Sequence, residues 1–335
     1  MTTLTTIDQS TSRFGWAELA RQAWQTNRLL TVAGLLHLLL IPLFLLAWLV
    51  DPLTILGQPA WVKPLKFALS GAIYAFTFVW MLGFVQGWPR SKAFAAGATG
   101  VALIVETSLI AMQVLRGTAS HFNFATPFDG AVFRLMAGFI LLLALCTLLL
   151  TVILLVQRLP NPVMAVGLRL GLASALAGML VAFFMTAGPT ASQQACLAAG
   201  EQVVVIGGHS VGVEDGGPGL PLLGWSTEGG DLRVPHFVGL HGMQILPVLA
   251  WLLSLPPARR RLPQRHRRLV IWSWGLGYLG LTALLTWQAL RGQSLIAPDA
   301  ATWSALALLV GAVALVSAIA WLDGRRRLMR ASKPV

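Results

Sequence analysis

The side chains best suited to chemistry are concentrated where a Gly-rich segment runs into an apolar one. This short stretch contains Asp231, Arg233, His236, His241 and Gln244. Polar groups at the boundary of a bilayer cost free energy, so they usually serve a site. Carboxylates and imidazoles exchange protons near neutral pH, and imidazoles also ligate metals. The stretch therefore predicts acid–base or metal chemistry.

Two further residues extend the candidate site. Glu106 lies near the middle of an apolar run, where an ionisable group costs about 2.5 kcal/mol or more to insert, so we expect a functional role. His121 lies in a loop between aromatic residues, which suits a turn that lines a pocket. Two structural alternatives stay open. Glu106 could pair with Arg134 or Lys66 only to join helices, and His121 could simply be solvated. The complete candidate site is Glu106, His121, Asp231, Arg233, His236, His241 and Gln244.

The histidine spacing limits the metal hypotheses. His236 and His241 differ by about 140° around a helix, so one regular helix cannot direct both to one metal ion. We expect His236 to face the loops and His241, with Gln244, to face Glu106 and the bundle. A metal site at His236 or His241 would therefore need recruits such as His121, His209 or Asp231. The alternative is that these histidines form hydrogen bonds in a polar interior. A haem held by His241 and His37 would span a depth difference of about 8 Å, a poor match to axial ligation. The histidines therefore allow a metal ion or a haem as a cofactor.

Composition defines the environment in which these residues act. The chain has 335 residues, of which 56% are hydrophobic and 11% charged, and its mean hydropathy is +0.73. These values are typical of a protein dissolved in lipid, so the bilayer is its main partner. The net charge of +12 does not indicate nucleic acid, because the arginines lie in short runs between apolar segments. Cys146 and Cys196 lie at different predicted depths, which argues against a structural disulfide.

The apolar runs predict an all-α integral membrane protein, a bundle of about eight transmembrane helices with one long, Gly-rich outer loop. Residues 29–323 form one transmembrane domain, and the outer loop covers about 188–234. Residues 1–28 form a cytoplasmic tail, either with an interfacial helix at about 14–27 or simply polar, and residues 324–335 form a basic cytoplasmic tail. The predicted spans are 29–50, 62–87, 94–115, 130–157, 164–187, 235–255, 269–290 and 302–322.

Charge distribution predicts the orientation. Most of the 24 lysines and arginines lie in alternate connections and in the two tails. The positive-inside rule then predicts that both termini lie in the cytoplasm. The membrane would be the plasma membrane or inner membrane of a cell. The candidate site lies on the outer face, where a small molecule or a lipid would be the substrate. Lys63, His209 and Asp215 are expected on the same face.

Four segments together resemble uncharacterised bacterial polytopic membrane proteins of about eight spans. The resemblance implies the membrane class and no activity. The segments are WVKPLKF at 61–67, HFNFATPFD at 121–129, DGGPGLP at 215–221 and GDLRVPHFVGLHGMQ at 230–244.

Three classes of function are compatible with these residues. The first is a membrane-embedded enzyme or redox protein, in which Asp231 and Arg233 orient a substrate or each other and the histidines handle protons or a metal. The second is a transporter or channel with Glu106 as a proton or cation site. The third is a structural or assembly subunit. A serine hydrolase is disfavoured, because GHSVG at 208–212 would need a parallel sheet that its loop is too short to build.

Overall fold

The computed structural model describes residues 16–331. Eight helices in this range are long and apolar enough to span a membrane, namely α2 to α6, α8, α10 and α11 of the order below. The predicted all-α membrane bundle is therefore confirmed. The helices are α1 Trp16–Thr26, α2 Arg28–Val50, α3 Val62–Leu82, α4 Pro89–Leu115, α5 Pro127–Val156, α6 Pro162–Met185, α7 Ala191–Ala198, α8 Arg233–Ser254, α9 Pro256–Arg261, α10 Gln264–Leu290 and α11 Ala300–Ala331.

Lipid contact explains the distribution of apolar side chains on these helices. Leu39, Leu49, Leu308 and Leu315 are each more than half exposed to the surroundings of the protein. A water-soluble protein rarely exposes leucines in such number along whole helices, whereas a bilayer solvates them. The eight helices therefore expose their apolar faces to lipid.

The most extensive helix contact joins α6 and α8. A Cβ atom added to Gly178 would lie 2.6 Å from the Leu240 nitrogen, and one added to Gly239 would lie 2.5 Å from the Gly178 Cα. Small residues of this kind let two backbones approach closely in a membrane. The Ser174 hydroxyl donates to the Gly239 carbonyl at 3.0 Å and adds a polar contact. This packing fixes the position of α8, which carries His236 and His241.

The remaining helices form a second group. Helices α2 to α5 pack on one another, α5 packs on α6, and α10 packs on both α6 and α8. Helix α11 packs on α10 and is the most exposed of the eight. The start of α3 and the second half of α4 therefore lie within this second group.

The connections make the two ends of the bundle different. We call one end the lid end, because the chain between α6 and α8, residues 186–232, folds over it as a lid. It contains α7 and two short strands, β3 Ser210–Val211 and β4 Gly230–Asp231, which pair antiparallel. A second hairpin, β1 Thr54–Ile55 with β2 Gln58–Pro59, lies at the same end. Because Ser210 is on a two-residue antiparallel strand, it has no nucleophile-elbow geometry.

Basic residues identify the opposite end, which we call the arginine end. It includes α9, with Arg259, Arg260 and Arg261, and the start of α10. Helix α10 begins at Gln264 rather than 269, and α11 continues to Ala331 rather than 322. Both helices extend past the apolar segment because arginine side chains reach water from a helical turn.

Other boundaries follow local backbone chemistry. Helix α3 ends at Leu82 rather than 87, since Gly83 closes it and Gly87 has a φ of +70°, which favours a turn. Helix α1 covers the described part of the predicted interfacial segment. Residues 14 and 15 of that segment lie outside the described range, and the placement of α1 on a membrane surface stays a prediction.

Candidate functional site

Five ionisable side chains from four parts of the chain meet beneath the lid. We call them the lid cluster: Lys63 of α3, Glu106 of α4, His121 of the α4–α5 loop, and His209 and Asp215 of the lid. The His121 Nε2 atom lies 3.6 Å from a Glu106 oxygen. Lys63 is half-buried and close enough to interact electrostatically with Glu106, His121 and Asp215. His121 and His209 interact in the same way. Such a convergence of titratable groups is typical of functional sites.

Glu106 is the least satisfied member of the lid cluster. Its residue is 3% exposed, and neither carboxylate oxygen accepts a hydrogen bond from the residues that the structure describes. A buried carboxylate without hydrogen bonds costs several kcal/mol unless a nearby charge or a proton compensates. Its ionisable neighbours are Lys63 and His121. The expectation that His241 faces Glu106 stays a prediction.

His209 and Asp215 form an oriented imidazole–carboxylate pair. The His209 Nδ1 atom lies 2.7 Å from Asp215 Oδ2, and the backbone N–H groups of His209 and Ser210 donate to the same carboxylate at 2.9 and 2.8 Å. Burial opposes the ionisation of Asp215, but the hydrogen bonds from His209 outweigh it and hold the Asp215 pKa below its usual range. Burial lowers the pKa of His209, and Asp215 partly offsets that effect. A carboxylate that fixes one ring nitrogen leaves the other available as a base.

Phe122 helps to position both loop histidines. Its φ is +60°, a value that bulky residues rarely adopt. Its ring centroid lies 5.0 Å from that of His209. Its carbonyl accepts a hydrogen bond from Ile206 N–H at 2.9 Å, and Phe124, two residues further on, donates to the Val204 carbonyl at 2.7 Å. Backbone strain is tolerated where surrounding contacts over-determine it, and here hydrogen bonds join the α4–α5 loop to the lid.

Asp231 and Arg233 contact each other and close the lid over the start of α8. The Arg233 guanidinium donates to both Asp231 oxygens, with Nη2 at 2.5 Å from Oδ2 and Nε at 2.9 Å from Oδ1. Arg233 also donates to the Gly224 carbonyl at 2.6 Å, and Asp231 accepts from Ser226 N–H at 2.8 Å. Lys66 donates to the Leu223 carbonyl at 2.9 Å and ties the lid to α3. We call the Asp231–Arg233 pair the clasp. Its contacts, together with that of Lys66, hold the lid in place over the lid cluster.

Helix α8 separates its two histidines. The His236 Nδ1 atom lies 2.8 Å from the Gly178 carbonyl of α6, and the ring interacts electrostatically with His209. The His241 ring packs on Phe237 at 4.2 Å between centroids and lies beside Gln244. Gln244 in turn donates to the Thr77 hydroxyl of α3 at 3.1 Å. His236 therefore borders the lid cluster, whereas Gln244 joins α8 to α3 and His241 packs against its own helix.

Sequence reasoning left three members of the lid cluster out of its candidate site. Lys63, His209 and Asp215 were expected on the same face, but no spacing rule connects them to Glu106. The only local signal was the Gly-rich turn after His209, which allows Asp215 to fold back onto the imidazole and its own N–H.

The metal and haem hypotheses stay predictions. Across residues 16–331, no three or more His, Cys, Asp and Glu side chains are grouped so that they could hold a metal ion. His121, His236 and His241 each have a separate partner, as described above. Both ring nitrogens of His37 are engaged, Nδ1 with the Ala33 carbonyl at 2.7 Å and Nε2 with the Thr107 hydroxyl at 2.9 Å. Metal analysis and an optical spectrum of the purified protein would test both hypotheses.

The fold and the site define a class, a multi-pass α-helical membrane protein with a polar cluster under a lid. Comparison with models of known protein families gives no match, and neither curated proteins nor solved structures show significant similarity to the chain. The likeness to bacterial polytopic proteins therefore stays a resemblance, and function has to be argued from the lid cluster itself.

Acidification is expected to destabilise the protein through His121. Burial, with a smaller contribution from Lys63, lowers the pKa of His121 well below the usual value of about 6.5. Folded His121 stays neutral while the unfolded chain takes up a proton, so the free energy of unfolding falls as the pH drops below about 6.5, by up to about 1.4 kcal/mol per pH unit. Melting temperatures of the protein in lipid nanodiscs between pH 8 and pH 5, followed by tryptophan fluorescence, measure the effect.

The variant His121→Asn is the comparator for this experiment. It has no imidazole that takes up a proton on unfolding, so its melting temperature should fall less between pH 7 and pH 5 than that of the wild type. An equally steep fall in the variant would show that other groups cause the acid sensitivity.

Proposed function

We propose that the protein is a membrane-embedded enzyme whose lid cluster performs acid–base chemistry on a small molecule or a lipid headgroup. One observation carries the proposal. The oriented, partly exposed His209–Asp215 pair interacts electrostatically with Lys63 and His121, which in turn border Glu106, a buried carboxylate whose oxygens accept no hydrogen bond from the described residues. A purely structural ion pair would satisfy its carboxylate, because unpaired buried oxygens are costly. A reactive carboxylate has to be available to a proton or a substrate.

The proposal gives each residue a role. Glu106 takes a proton from the substrate, and Lys63 stabilises the negative charge that develops on the substrate. His209, oriented by Asp215, returns a proton to the reacting group. His121 lies between the two pairs and relays protons. Asp231 and Arg233 keep the lid closed so that water is excluded, while His236, His241 and Gln244 line the adjoining face of α8.

Unbiased profiling of substrates tests the proposal. Purified protein in lipid nanodiscs is incubated with an extract of bacterial lipids and metabolites, and mass spectrometry follows species that decrease with time. Support would be a species that the wild type consumes and Glu106→Gln does not. If no species is consumed, or if both proteins consume the same species equally, the enzyme proposal fails.

A transporter is the second candidate, and a different observation favours it. Glu106 lies well inside α4, and the next residue, Thr107, bonds to His37 of α2, so buried polar groups continue inward from the lid cluster. A carboxylate at such depth is a common site for a transported proton or cation. Proteoliposomes that contain a pH-sensitive dye distinguish the two. Proton flux that Glu106→Gln abolishes, without consumption of any species, would favour the transporter over the enzyme.

We also propose that the lid end faces outward from a bacterial inner or plasma membrane, with both termini in the cytoplasm. The arginines of α9 and the start of α10 support this orientation through the positive-inside rule. The substrate would then reach the lid cluster from outside the cell or from the outer leaflet.

The two cysteines provide a test of orientation without engineering. Cys196 of α7 is partly exposed in the lid, and Cys146 is buried in α5. A membrane-impermeant maleimide added to intact cells is expected to label Cys196. Hydrogen bonding to Glu201 and burial raise the pKa of the Cys196 thiol, so labelling should quicken as the pH rises from 7 to 9. Labelling is read as a mass shift of the purified protein.

The variant Cys196→Ser serves as the control and should remain unlabelled. Labelling of the wild type that appears only after the cells are permeabilised would reverse the proposed orientation.

A further inference from the structure

A cleft of about 420 Å³ opens at the arginine end, at the opposite end of the bundle from the lid cluster. It lies where the starts of α6 and α10 meet α9. Two of its five lining residues are arginines, two carry amides and none is acidic. The lining consists of Pro160, Asn161, Arg259, Gln264 and Arg267.

Arg267 forms a buried cationic wall of this cleft. The residue is 8% exposed, and its guanidinium donates to the carbonyls of Leu262 at 3.1 Å and Leu253 at 2.9 Å. Carbonyl oxygens satisfy N–H groups but do not neutralise the charge. A buried cation without a counter-ion is costly, so an anion in the cleft would stabilise it.

The neighbouring charges increase this need for an anion. Arg259 repels Arg267 electrostatically across the cleft. A carboxylate at this end, Asp323, is engaged elsewhere, by Arg265 at 3.3 Å, His266 at 2.9 Å and Arg327 at 2.8 Å. The lining around Arg267 therefore includes a second arginine and no carboxylate.

We propose that this cleft binds a phosphate group, which Arg267 and Arg259 contact from two sides. Guanidinium groups match phosphate oxygens with paired hydrogen bonds, and Gln264 adds an amide donor. The phosphate can come from an anionic lipid headgroup or from a free phosphate compound. Leu269 and Trp272, further along α10, are exposed apolar side chains of the kind that contact acyl chains below a headgroup.

Native mass spectrometry of the full-length protein tests the phosphate site. The detergent-solubilised protein is mixed with phosphatidylglycerol or with phosphatidylcholine at the same molar ratio, and the bound lipid is counted. We expect preferential retention of one phosphatidylglycerol, because its headgroup has no cationic part to oppose the arginines. Arg259→Gln and Arg267→Gln should each reduce this retention about tenfold or more.

Arg268→Gln is the matched control, because Arg268 is exposed on the same turn of α10 and lies outside the lining. If Arg267→Gln fails to fold, lipid retention by Arg259→Gln tests the proposal instead. Arg259 is exposed on the six-residue α9, so its replacement should not disturb folding. Displacement of the lipid by excess inorganic phosphate would identify a site for free phosphate, and retention despite phosphate would identify a lipid site. Equal retention of the two lipids, or an equal loss in Arg268→Gln, would overturn the proposal.

Discussion

Replacement of Asp231 by alanine is expected to lower the free energy of unfolding by about 1–3 kcal/mol, the cost of leaving buried hydrogen-bond donors without their acceptor. Asp231 is 2% exposed and holds the Arg233 guanidinium, the Arg233 N–H and the Ser226 N–H. The two backbone N–H groups would lose their acceptor, and the Arg233 guanidinium would keep the Gly224 carbonyl alone. Unfolding of the nanodisc-embedded or detergent-solubilised protein with increasing sodium dodecyl sulfate measures the change.

Glu228→Ala is the matched control for the clasp. It removes a carboxylate from the same part of the lid, but Glu228 is exposed, so its loss should change stability by less than about 0.5 kcal/mol. The lid of Asp231→Ala should also become sensitive to proteases between α7 and β4, while Glu228→Ala should remain resistant. Equal stability of the two variants would show that the Asp231–Arg233 contact does not hold the lid.

The second expected result concerns activity. Glu106→Gln should slow consumption of the substrate found by profiling by about 10²- to 10⁴-fold, the contribution of a positioned acid or base. Its folded state should change little, because glutamine has the same size and no hydrogen bond to the carboxylate is lost. Lys63 keeps Asp215 as a second countercharge. Initial rates by mass spectrometry and melting temperatures are measured on the same preparations.

Lys63→Met shows whether the two groups act together. Residues that act as a unit in one step have non-additive effects, so the double variant should be about as slow as the slower single variant. Multiplicative losses would mean that Lys63 and Glu106 serve separate steps. A pair that only joins helices would instead lower the melting temperature of both variants and leave the rate per folded molecule unchanged.

The spans could be predicted from sequence because lipid imposes a simple rule. Every backbone group must be paired within the hydrocarbon, so long apolar runs become helices, and α2 and α8 fall where hydropathy places them. The ends were less predictable. Arginine-rich turns such as those at the start of α10 and the end of α11 can be helical in water, and hydropathy carries no information about them.

The lid cluster was only partly predictable, for a different physical reason. Helix geometry separates His236 from His241, and the structure places them against different partners. The contacts of His209 depend on how the lid pairs with the α4–α5 loop, through the bridge between Asn123 and Val205. Such pairing between distant irregular segments has no periodicity. Polarity at a helix mouth also does not distinguish a clasp such as Asp231 with Arg233 from a reactive group.

The most direct test of the lid cluster as an acid–base site is one ratio of rates. The rate of substrate consumption per folded molecule is measured for Glu106→Gln and for Glu214→Gln in identical nanodiscs. Both variants lose one carboxylate at the lid end, but Glu214 is exposed and Glu106 is buried beside Lys63 and His121. If the lid cluster is an acid–base site, the rate of Glu106→Gln divided by the rate of Glu214→Gln should be about one-hundredth or less. A ratio near one would contradict it.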